Sequence, residues 1–75
     1  MDIADILIHV HPDLVAEQRE KVEEALRSNE GIVSVHFSSK HVHELTVAYN
    51  PDVINSATIL EQIRQWDAAA TMAGL

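Results

Sequence analysis

Ile6-Leu7-Ile8-His9-Val10-His11-Pro12-Asp13-Leu14 is where an apolar alternating run gives way to a helical pattern, and its reading decides the fold. Ile6, Ile8 and Val10 share one parity, and Leu7, His9 and His11 share the other. A strand built from this run buries aliphatic side chains on one face and shows two imidazoles on the opposite face. Pro12 cannot donate to a ladder and stops it. The end of such a strand, where a helix begins, is a common place for ligands in α/β domains.

Beyond the junction, Val15, Val22, Ala25 and Leu26 keep a helical stripe, with Asp13 as a cap and Glu17, Glu20, Lys21, Glu23, Glu24 and Arg27 on the solvated surface. The acids come early and Arg27 late, the order that the helix dipole favours, and Glu17/Lys21 and Glu23/Arg27 are supportive i,i+4 pairs. Asn29-Glu30-Gly31 supplies the stop, Gly31 being free to take a positive φ. Ile32 to Ser38 reads as a second strand with Val33, Val35 and Phe37 inward and Ser34, His36 and Ser38 outward. A polar connection through Val42 leads to a third strand, Glu44 to Tyr49, with Leu45, Val47 and Tyr49 inward, so the two strands form a hairpin. Asn50-Pro51-Asp52 ends it, and Asn55 or Ser56 caps a helix carrying Ile59, Leu60 and Ile63. Trp66 and Tyr49 are expected in the core and Met72 as a gap-filler. A short edge strand at Thr71 and Met72 completes β-α-β-β-α-β, the ferredoxin-like plan. The expectation is an α+β sandwich with a four-stranded antiparallel sheet, order 4-1-3-2, and two helices on one face.

The bulk properties narrow the function. The 75 residues, read as one domain spanning 1–75, stand near the size at which a single core just suffices. With no cysteine there is neither a disulfide nor a thiolate site. A net charge of -7 speaks against nucleic-acid backbones and anionic membranes, and suits cations or basic partners. The start Met1-Asp2-Ile3-Ala4-Asp5 has no basic region, and the apolar run is too short to span a bilayer, so a cytoplasmic protein with no membrane insertion is expected. No Gly-rich phosphate loop and no nucleophile paired with a base is present, and the expectation is a non-enzyme.

Gly31-Ile32-Val33-Ser34-Val35-His36-Phe37, Leu45-Thr46-Val47-Ala48-Tyr49-Asn50-Pro51 and Ile59-Leu60-Glu61-Gln62-Ile63 resemble the heavy-metal-associated domain of copper chaperones and metal-pumping ATPases. That family has a "GVxxVxV" strand, a "VTVxYDP" strand and an "LxxxI" helix, and Val22-Glu23-Glu24-Ala25-Leu26 matches its "IExAL". The resemblance spans most of the chain and implies the fold. The family holds soft metals through "GMTCxxC", whose cysteines fall at Val15 and Gln18, with Pro12, Asp13 and Leu14 in place of glycine, methionine and threonine. No ligand carries over, and Val15 and Gln18 cannot do for Cu(I) what thiolates do.

Five histidines, His9, His11, His36, His41 and His43, are placed by this topology towards one end. His9, His11 and His36 share the open sheet face and are the candidate metal or cofactor ligands, with strand three between strands one and two leaving a gap of about 10 Å. One ion is therefore held by His9 and His11, by the hairpin pair, or by histidines from two copies. His41 and His43, in a connection expected to be mobile, read as solvated. Imidazole suits Zn, Cu(II), Ni or haem iron. A histidine-ligated metal module for storage, delivery or sensing is the first expectation. Haem b held by His9, His11 or His36 between two subunits is the alternative, since Leu7, Ser34, Thr46 and Ala48 make that face nearly uncharged. A homodimer through the open face, or an interaction domain without a ligand, completes the set.

Overall fold

The computed structural model describes residues 2–10, 15–41, 43–67 and 70–72. Its elements run β1 (Ala4–His9), α1 (Ala16–Arg27), β2 (Ile32–Phe37), β3 (Glu44–Tyr49), α2 (Ser56–Arg64) and β4 (Thr71–Met72). All pairings are antiparallel and the sheet order is β2-β3-β1-β4, the expected 4-1-3-2 order read from the other edge.

The alternation in β1 and β3 sets their register. Ile6 faces Val47 and Ile8 faces Leu45 across the ladder, and all four are buried. Their core is shared with Val22 and Leu26 of α1, Ile59, Leu60 and Ile63 of α2, and Val10, Val35, Tyr49 and Ala70. Both helical stripes thus cover one face of the sheet and leave the other open. Asn55 caps α2, its side-chain oxygen accepting from the Thr58 N–H at 2.8 Å. Asn29 and Gln62 exchange amide hydrogen bonds at 2.7 and 2.9 Å, tying the end of α1 to α2. Among the described residues no helix is long and apolar enough to cross a membrane.

Four expectations, two drawn from periodicity and two from residue type, fail locally. Val33, read as inward, is 57% exposed, because β2 carries an irregularity between Ile32 and Ser34. Gly31 turns the chain at φ +96°, its carbonyl accepting from Asn50 N at 2.7 Å, and Ile32 takes the place opposite Tyr49. Val33 is then the extra residue of a bulge and belongs to neither face. Val15 is not part of the α1 stripe, since it lies exposed at the N-cap before the first helical turn. Trp66, read as core, is 46% exposed, because α2 already fills its buried face with Ile59, Leu60 and Ile63. Met72 pairs with Ile8 at the sheet edge and is exposed rather than gap-filling. Asp13, read as a cap, lies outside the described residues.

Candidate functional site

The end of β1 and the β2–β3 connection are built against each other. Ser38 Oγ accepts from the N–H groups of Lys40 and His41 at 3.2 and 3.1 Å, a local turn of the kind serine favours. Glu44 N donates to His41 O at 2.8 Å, and Ser38 N to Glu44 O at 3.0 Å, closing the hairpin at its base. Val10 N donates to His43 O at 2.8 Å, so β1 remains bonded to the connection one residue past its last paired position. Val10 itself is buried, which fixes His9 and its neighbour on opposite sides of the chain.

Three imidazoles follow one another across this framework. The His9 and His43 ring centroids are 5.7 Å apart with their planes at 68°, and those of His43 and His41 are 5.8 Å apart at 71°. Glu44 stands directly opposite His9 in the ladder, and its Oε1 lies 3.7 Å from His9 Nε2. That separation is too long for a hydrogen bond but places a carboxylate beside the ring. His9 and Glu44 are both partly open to solvent. The chemistry at this end is thus a row of imidazoles with one acid alongside, accessible from outside.

The candidate ligands separate. His9 takes its expected place on the open face, opposite Glu44. His36 is exposed on that face too, but it pairs with Thr46, which pairs with Leu7, one row back from His9 and on the far side of β3. Two strand spacings sideways and two residues along put its Cα about 12 Å from that of His9. His11 lies outside the described residues. Among the described residues no three His, Cys, Asp or Glu side chains are gathered closely enough to hold a metal ion between them. The neighbour that His9 does have is His43, a residue that sequence alone marks as solvated. Matching inward Ile8 to inward Leu45 sets His9 opposite Glu44 and carries His43 to the end of β1, so the register contained that signal.

The positions that the resemblance aligns with cysteines serve a different purpose here. Val15 is the N-cap of α1, and its N–H donates to Gln18 Oε1 at 3.1 Å, a side chain reaching back to satisfy one open donor of the first turn.

No family model matches the chain, and no curated protein is similar to it in sequence. Solved structures are similar in fold. Oxidised MerP from Ralstonia metallidurans CH34 superposes with a TM-score of 0.76 at 11% identity, covering 97% of this chain and 97% of that one. The copper-binding domain of HMA7, a P-type ATPase, gives 0.74 at 20% identity over 95% and 92%. The ZiaAN sub mutant gives 0.72 at 23% identity over 99% and 100%. The chain therefore has the ferredoxin-like fold of heavy-metal-associated domains, as the residue patterns of β2, β3 and α2 implied.

Proposed function

With that fold as the premise, we propose that the chain is a small metal-binding module, acting in storage, delivery or sensing rather than catalysis. It takes a transition metal ion through imidazoles at the hairpin end of its open face. A relative in fold whose name says copper-binding supports the general role. The observation that carries the reading is the row His9, His43, His41, with centroid separations of 5.7 and 5.8 Å. A metal–nitrogen distance of about 2.0–2.1 Å sets an imidazole centroid about 3.2 Å from the ion, so two rings on one tetrahedral ion have centroids about 5.2 Å apart. The observed pairs exceed this by about half an ångström, within the reach of a side-chain torsion.

His9 and His43 are the ligand pair of the proposal, with Glu44 beside His9 as a carboxylate that favours a bound cation. His11 is the further ligand that strand parity offers, and His36 contributes through a second copy of the chain. A cysteine-free set of this kind suits Zn, Cu(II) or Ni and lacks the thiolates that favour Cu(I).

Isothermal titration with Zn, Cu(II) and Ni tests it. Uptake is expected to weaken in acid, where protons compete with the metal for the ligand nitrogens. His9→Ala and His43→Ala should each lower affinity by about tenfold or more, a difference of about 1.4 kcal/mol. Unaltered affinity in the double variant would remove the site from this end of the fold. Hemin is the control for the other cofactor: a sharp, shifted Soret band that needs His9, His11 or His36 and accompanies dimerisation would favour haem b on the open face over the ion.

A further inference from the structure

The two edges of the sheet are protected differently. β4, at one edge, is two residues long, and a strand that short has little backbone to pair with. β2, at the other, reads Ile-Val-Ser-Val-His-Phe, with no Asp, Glu, Lys or Arg, and its β-branched and aromatic residues are those that pair readily with another strand. Its register decides which backbone groups it presents. Ser38 N donates to Glu44 O, and bonding to an antiparallel neighbour recurs at every second residue. Ser38, His36 and Ser34 therefore turn their N–H and C=O groups to β3, while Phe37 and Val35 turn theirs to the free edge. The Val33 bulge interrupts the edge before Ser34, and from Ser34 to Phe37 the pairing is regular.

One of those outward groups is already taken. Arg27, the last residue of α1, donates from Nη2 to Val35 O at 2.8 Å, the distance at which the N–H of an added strand would stand. Glu23 Oε2 lies 3.2 Å from the same nitrogen and ties the guanidinium back to its helix. We propose that the β2 edge is a pairing surface for a second copy of this chain, and that Arg27 is the guard that closes it. With a two-fold axis at His36, the N–H and C=O of Val35 meet those of the partner's Phe37, and symmetry repeats the exchange, giving four backbone hydrogen bonds over the regular part of the edge. Two of the four end on a Val35 oxygen, the acceptor that Arg27 holds in each copy. The same pairing would bring two guanidinium groups onto one seam, where they repel. A second copy suits the edge because the strand is self-complementary in this register. Val35 stands opposite Phe37, an aromatic only partly covered in the monomer, and His36 stands opposite His36 on the open face. Residues 32–40 contain Lys40 and no acid, so the charge of -7 is carried away from the seam. The inference gives a geometry to a contribution of His36 from a second copy, but it rests on register and the Arg27 contact and needs no metal.

Because the chain has no cysteine, a single introduced thiol reports the pairing. In a non-hydrogen-bonded antiparallel pair the Cα atoms are about 4.5 Å apart, within the span of a disulfide. His36→Cys combined with Arg27→Ala, oxidised in the full chain with a chelator present, should therefore form a disulfide-linked dimer at least tenfold faster than His36→Cys alone. Ser34→Cys combined with Arg27→Ala is the control for register: Ser34 is exposed on the same face, but the axis sets it four residues, about 13 Å along the strand, from its own counterpart, and it should stay largely uncrosslinked. Arg27→Ala alone should sediment as a dimer at a concentration where the parent chain is a monomer. Glu23→Gln, which unties the guanidinium without removing it, should give His36→Cys an intermediate rate, and it keeps the test open if circular dichroism shows that Arg27→Ala does not fold. Equal rates for His36→Cys with the guard intact and with it removed or untied, or crosslinking through Ser34→Cys as fast as through His36→Cys, overturn the proposal.

Discussion

Replacing Gly31 by alanine should be among the most costly single-methyl additions in the chain. Gly31 sits at φ +96°, outside the region an L side chain ordinarily occupies, and forcing a left-handed backbone costs about 1–2 kcal/mol. The added Cβ would also lie 2.9 Å from Val53 Cβ and Cγ1 and 3.1 Å from Ile54 Cγ2. Val53 Cβ is fixed to the backbone of the turn after β3, so relief requires that turn to move, and overpacking of this kind costs about 1–3 kcal/mol. Alanine's smaller freedom in the unfolded chain returns roughly 0.4–1 kcal/mol. The net expectation for Gly31→Ala is a loss of about 2–3 kcal/mol, or about 10–20 °C in Tm for a domain of this size. Urea denaturation followed by circular dichroism measures it. Repeating it in a Val53→Gly background separates the two terms, since the contacts to Val53 vanish there and the backbone term stays, leaving a cost of about 1 kcal/mol. A Gly31→Ala loss below about 0.5 kcal/mol would refute the reasoning, because it would mean that this turn does not hold the left-handed conformation on which the Ile32 pairing and the Val33 bulge depend.

Other substitutions probe single links. Asn55→Ala removes the acceptor for the Thr58 N–H and should cost about 1 kcal/mol in the same assay, with Asn55→Ser recovering most of it. A double-mutant cycle of Asn29→Ala and Gln62→Ala should show a coupling of about 0.5–1.5 kcal/mol from their reciprocal amide bonds, whereas additive effects would mean the two do not meet in solution. Trp66→Phe should leave stability within about 0.5 kcal/mol, and the emission of the parent chain should be red-shifted, as a half-exposed indole requires; a loss of several kcal/mol would restore Trp66 to the core. Leu45→Ala, by contrast, empties a fully buried position and should cost about 2–5 kcal/mol.

What the sequence made legible follows from how much of each decision is local. In β1 and β3, apolar and polar residues alternate strictly, so one register buries Ile6, Ile8, Leu45 and Val47 together and any slip of one residue exposes all of them. β2 begins with Ile32 and Val33, two apolar β-branched residues in succession; period alone favours Val33, in phase with Val35 and Phe37, where the fold takes Ile32. The choice is made by Gly31, whose carbonyl is taken by Asn50 N and whose φ sets the entry of the chain, a long-range fact that no window over β2 contains. Trp66 is exposed for the related reason that hydrophobicity measures a residue and burial measures a vacancy. α2 is short, and the three inward positions it has are filled by Ile59, Leu60 and Ile63.

The candidate site divides in the same way. That the end of β1, with His9, meets the β2–β3 connection, with His41 and His43, was readable in outline because topology alone puts those two segments side by side. Which imidazoles meet was not, because side-chain proximity here is decided by three backbone hydrogen bonds of the hairpin, Val10 N to His43 O, Glu44 N to His41 O and Ser38 N to Glu44 O. These bonds hold His43 within one ring contact of His9, whereas the strand that separates His36 from His9 holds those two about 12 Å apart. A shared face is therefore a weaker criterion for common ligation than a shared hydrogen-bonded frame. Val15 and Gln18 make the complementary point. Their positions correspond to thiolates in the family that the chain resembles, yet here the Gln18 amide is committed to the Val15 N–H and completes the first turn of α1. Where the residues at such positions take up capping, the chemistry at that end must be read from whichever side chains the frame brings into contact.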